Sequence, residues 1–75
     1  MKTTYNLEVV SYSSQQVIID ESISEKKFNS IKNKLDGNFY ETSKELVEEE
    51  LHNITTTTEY IIDDTQIILT KVESK

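Results

Sequence analysis

The sequence predicts an α+β fold in the order ββααββ: a four-stranded antiparallel sheet with two helices packed on one face. Three observations point there. Apolar residues alternate at Tyr5, Leu7 and Val9 near one end, and at Tyr60, Ile62, Ile67 and Leu69 near the other. Phe28, Ile31 and Leu35 recur at helical spacing between them. Gly37, the only glycine, stands where one helical pattern stops and a second begins.

The first strand is centred on Tyr5, Leu7 and Val9. Ser11 to Gln16 is polar and holds a turn, and Val17, Ile18 and Ile19 open a second strand that runs to about Glu21. Neighbouring strands with a short polar link pair as an antiparallel hairpin. Val10, Tyr12 and Ile18 fall opposite Tyr5, Leu7 and Val9, so this hairpin is apolar on both sides. Ser22-Ile23-Ser24-Glu25 has capping-box spacing and opens a helix over about Ser24 to Asp36. Gly37 as a left-handed residue ends it, with Lys32 and Lys34 near the negative end of the dipole.

A second helix is expected from a start between Asn38 and Thr42 to about Asn53. Wound at 100° per residue, this segment gathers Phe39, Leu46, Val47 and Ile54 on one side, with Tyr40 and Leu51 on the shoulder. Glu50 falls inside that apolar arc and conflicts with it. The β-branched run Thr55 to Thr58 stops the helix and begins a strand. Tyr60 to Leu69 then forms a hairpin around Asp63-Asp64-Thr65-Gln66, with a loop of two or four residues. Phe28, Leu35, Leu46 and Ile67 are the expected core anchors.

Seventy-five residues make a single small domain, 1–75. A chain of this size buries only about 60% of its unfolded surface. It has no cysteine, hence no disulfide and no cysteine-based zinc framework. No apolar run approaches the roughly 20 residues of a membrane span. The start MKTTYNLEVV lacks the apolar core of a secretory signal, and a cytoplasmic location is expected. Without export, Asn53-Ile54-Thr55 has no role as a glycosylation acceptor. A net charge of -6 and the absence of arginine exclude direct nucleic-acid binding and disfavour anionic membranes.

Catalytic sets are poorly represented. One histidine, no cysteine and one glycine leave no triad elbow and no phosphate-binding loop, so no enzymatic role and no cofactor are expected. Glu48 and His52, four residues apart with Glu45 or Glu49 beside them, would share one helix face, as a surface pair rather than a metal site. Asp63-Asp64 lacks the ligand spacing of a calcium loop and reads as a turn former.

Residues 41–50, ETSKELVEEE, hold five glutamates. On a helix Glu41, Glu45, Glu48, Glu49 and His52 form a polar stripe, and these are the expected partner-binding residues. Asp20, Glu21, Glu25, Glu59, Asp63 and Asp64 would extend the acidic surface. Lys26, Lys27 and Lys34, opposite the apolar side of the first helix, would partly neutralise it. In size and charge the chain resembles the small acidic inhibitors that phages direct against host nucleases and DNA-binding proteins, anti-CRISPR proteins included. This resemblance implies a nucleic-acid mimic occupying the basic surface of a nucleic-acid-binding protein or nuclease. The competing expectation is a small assembly protein acting as a homodimer.

Overall fold

A computed structural model of the chain describes residues 2–37 and 44–74. The elements are β1 (Thr3–Ser11), β2 (Val17–Ile23), α1 (Glu25–Asp36), β3 (Lys44–Glu49), β4 (Asn53–Ile62) and β5 (Thr65–Ser74). The five strands make one sheet in the order β2-β1-β5-β4-β3, and every neighbouring pair is antiparallel. The fold is α+β as expected, but with five strands and one helix among the described residues, not four strands and two helices. The chain leaves β2 at one edge of the sheet, runs through α1, and re-enters as β3 at the opposite edge.

The segment expected to be the second helix is the source of the difference. Its described part is β3, an edge strand exposed on both faces, so Leu46 is 57% exposed rather than buried. Leu46 and Val47 are adjacent, and adjacent apolar residues carry neither a strand nor a helix period. The glutamates around them favour helix only weakly. The β-branched strand Asn53–Ile62 overrides that preference, because its outer ladder of N–H and C=O groups needs a partner. Lys44 to Glu49 supplies one, in register from Lys44↔Glu59 to Glu49↔Ile54. Phe39 and Tyr40 lie outside the described residues.

The hairpins follow the alternation. Leu7 faces Leu69, Val9 and Tyr60 both face Ile67, and Thr58 faces Leu69. These residues share one face of the sheet, and α1 lies against it with Phe28 and Leu35. Leu7, Phe28, Leu35, Tyr60 and Leu69 form the buried core, with Tyr5, Val9, Ile23, Ile31, Ile62 and Ile67 packed around it. The rings of Tyr5 and Phe28 meet at 4.8 Å between centroids, in a tilted arrangement.

Both ends of α1 differ in detail from expectation. Ser24, not Ser22, is the N-cap: its Oγ accepts the backbone N–H of Lys27 at 3.1 Å. Gly37 keeps a right-handed φ of -69°. Its N–H donates to the Asn33 carbonyl at 3.0 Å, and a Cβ there would stand 3.2 Å from that oxygen. Close approach rather than left-handed geometry therefore explains the glycine. The second hairpin uses the two-residue loop, Asp63-Asp64, with a positive φ of 53° at Asp63.

Candidate functional site

The expected helical stripe does not exist as a unit. In a strand, successive side chains alternate between faces. Glu45 faces Thr58 and Glu49 faces Ile54, which places both on the helix-covered side, whereas Glu48 faces Thr55 on the other side. His52 is exposed in the bend between β3 and β4. Glu50 also lies in that connection, where its N–H donates to the Asn53 carbonyl at 2.8 Å. Its conflict with the apolar arc disappears, because there is no arc. Glu41 lies outside the described residues. Glu48 and His52 lose the shared helix face that paired them. No group of three or more His, Cys, Asp or Glu among the described residues is placed to hold a metal ion.

What the fold brings together instead is the face of the sheet opposite α1. No described helix covers it. The register aligns Asp20, Glu8, Ile68, Glu59 and Lys44 in one row across all five strands. The next row holds Ser22, Asn6, Thr70, Thr57 and Leu46, and Glu48 lies beyond it beside Thr55. Glu8 and Asp20 are direct cross-strand neighbours, an arrangement that like charges disfavour. Asn6 Nδ2 donates to Asp20 Oδ1 at 3.0 Å and fixes the aspartate in place. Glu59 pairs with Lys44 at 3.4 Å, which leaves the Glu8–Asp20 end of the row as its negative pole.

Other ion pairs among the described residues lie elsewhere. Lys27 reaches Glu21 at 3.2 Å, so this lysine pairs with β2 rather than with a second helix. Lys32 and Asp36 pair at 3.4 Å, as do Lys71 and Glu73. Exposed pairs of this kind are worth only a few tenths of a kcal/mol to about 1 kcal/mol each. Asp36 also accepts the phenolic hydrogen of Tyr60, which ties the end of α1 to β4. Burial first, and then that hydrogen bond, hold the Tyr60 phenol well above its ordinary range.

Described residues line several crevices. Crevices of about 220, 270 and 350 Å³ lie at β3–β4, between the end of α1 and β3, and at the β1–β2 end near Ser24. Ligand pockets generally hold about 300–1,000 Å³, so the first two fall below that range and the third at its lower end. No helix among the described residues is long and apolar enough to cross a membrane. Comparison with known protein families, with curated proteins and with solved structures finds no match to this chain.

Asp20 and Glu59, expected to extend the acidic surface, do join the helix-free face. Glu8 was missed. Its outward position could be read from alternation with Leu7 and Val9, but its neighbour Asp20 depends on how the two hairpin strands register. The bulge between Val9 and Val10 makes that register unreadable from spacing alone.

Proposed function

We propose that this chain is a non-enzymatic binding protein that presents an acidic surface to a basic site on another protein. The surface is the helix-free sheet face together with the adjoining β3 edge, with Glu8, Asp20, Glu45, Glu48 and Glu49 as its carboxylates and His52 at its border; Glu41, also expected here, lies outside the described residues. The carrying observation is the facing pair Glu8 and Asp20, two like charges held side by side on a face that no described helix covers. Such a pair disfavours the free fold and is relieved by a cation. A cytoplasmic nucleic-acid-binding protein or nuclease is the partner class, since its basic channel tolerates any backbone of negative charge. In that role the chain mimics nucleic acid and binds none itself, in keeping with its net charge of -6 and its lack of arginine.

The test is capture of a basic protein from the source organism's extract, followed by competition. Retention should fall as salt rises and when nucleic acid is added, and Glu8→Gln with Glu48→Gln should slow association in a chain that stays folded. Retention indifferent to both salt and nucleic acid would remove the mimic reading. The second reading, a homodimeric assembly protein, draws on the exposed Val17, Ile18 and Ile19 of β2. A native mass of one chain would count against it.

A further inference from the structure

The two edges of the sheet are guarded unequally. An edge strand presents unpaired N–H and C=O groups, and charged side chains along it discourage pairing with other strands. At one edge, β3 spreads Lys44, Glu45, Glu48 and Glu49 along its length. At the other, β2 begins with Val17, Ile18 and Ile19, all exposed, beside exposed Tyr12 in the adjoining turn. Val9 pairs with Ile19 and Val10 with Val17, so Ile18 is the extra residue of a bulge. Regular edge runs from Ile19 to Ile23, with Asp20 and Glu21 in its middle pointing to opposite faces.

A second copy fits this edge poorly. A symmetric antiparallel pair centred on Asp20 sets Asp20 against Asp20. Moving the centre one residue along sets Glu21 against Glu21; the registers centred on Ile19 and Ser22 avoid like charges but set a carboxylate against an aliphatic side chain, Asp20 against the bulged Ile18 or Glu21 against Ile23. Like charges directly opposite each other are destabilising. A strand with two consecutive cations sets no carboxylate against another, because alternation delivers one cation to each face: one at Asp20, whose partner Asn6 is neutral, and one at Glu21, which it shares with Lys27.

We propose that the outer edge of β2 is a strand-addition site for an extended segment of a partner protein. That segment carries adjacent lysines or arginines opposite Asp20 and Glu21, and an aliphatic residue toward Val17 and Ile18. Main-chain hydrogen bonds supply the binding and the side chains on alternate faces supply the selectivity. The inference rests on the reading of the chain as a binder of basic proteins, and adds where and how the backbone of such a partner docks. The carboxylates are pre-positioned, Asp20 by Asn6 and Glu21 by Lys27 at 3.2 Å, and both remain exposed.

The probe is a capped synthetic peptide of alternating threonine and valine interrupted by Lys-Lys, titrated into the isotope-labelled chain. Saturable amide shifts centred on residues 17–23 are expected, and they should vanish when the peptide's own amides are N-methylated. Asp20→Lys with Glu21→Lys should weaken the lysine peptide by about tenfold, within the range for two exposed pairs, and favour a Glu-Glu peptide instead. Equal binding of the N-methylated peptide to the unaltered chain would reduce the effect to charge adsorption and overturn the proposal. So would shifts centred on Glu8 and Glu48, an absence of shifts, or a free chain that is already dimeric through protected β2 amides. A chain that captures a basic protein in a salt-sensitive way yet ignores the peptide loses only this inference.

Discussion

Asp64 joins two hairpin ends that are remote in sequence. Its carboxylate accepts Ser13 N–H at 2.9 Å, Ser13 Oγ–H at 2.9 Å and Ser11 Oγ–H at 3.1 Å, while its carbonyl accepts Tyr12 N–H at 2.7 Å. The Ser13 hydroxyl, then the Ser13 amide, then the Ser11 hydroxyl hold the Asp64 carboxyl below its ordinary value of 3.8. A carboxyl whose pKa is depressed on folding contributes stability above its unfolded pKa and loses it as pH falls through the folded one. Stability measured by denaturant titration should therefore decline as pH drops below 3.8, and Asp64→Asn should flatten that part of the profile. Asparagine keeps the carbonyl bond to Tyr12 and one side-chain acceptor, so the variant should fold with a looser β1–β2 loop. An unchanged acid profile would show that this contact does not hold in solution.

At the level of elements, legibility tracked how much of a segment is buried on one face. Tyr60, Ile62, Ile67 and Leu69 were readable because alternation is sharp when one side meets a core, and the turn between them fits either loop length without moving that face. Phe28, Ile31 and Leu35 were readable because a helix on a sheet needs one apolar stripe. β3 was not, since a strand exposed on both faces carries no hydrophobic period, and the partner it pairs with is the later Asn53–Ile62. Misreading it also misplaced the candidate site: Glu45, Glu48 and Glu49 were legible as charge but not as geometry. The consequence is a contrast between two leucines. Leu69 is fully buried, and Leu69→Ala should cost about 2–5 kcal/mol, whereas Leu46→Ala on the exposed edge should stay within about 0.5 kcal/mol. Comparable losses in thermal denaturation would place Leu46 back in a core and undo the edge assignment.

Across the whole molecule, charge and stability pull in opposite directions. Fourteen acidic residues against eight lysines leave a chain that repels itself, and such repulsion destabilises the compact state. The fold does not spread that charge to best advantage, because Glu8 and Asp20 face each other across adjacent strands. A sequence shaped by stability alone would put a cation or a neutral residue at one of them. Retaining both is what a surface kept for a basic partner would require, since sites that serve binding are commonly held at some expense of stability. Glu8→Gln keeps the size of the side chain and its place beside Ile68 while removing the repulsion. It should raise stability by about 0.2–1 kcal/mol at low salt, the usual scale of a cross-strand pair. The gain should shrink as ionic strength rises, because the Debye length falls from about 30 Å at 0.01 M to about 8 Å at 0.15 M. The same variant should associate more slowly with a basic partner. Stability that falls in Glu8→Gln would mean the carboxylate has a structural role on this face, and the case for a binding surface there would lose its main support.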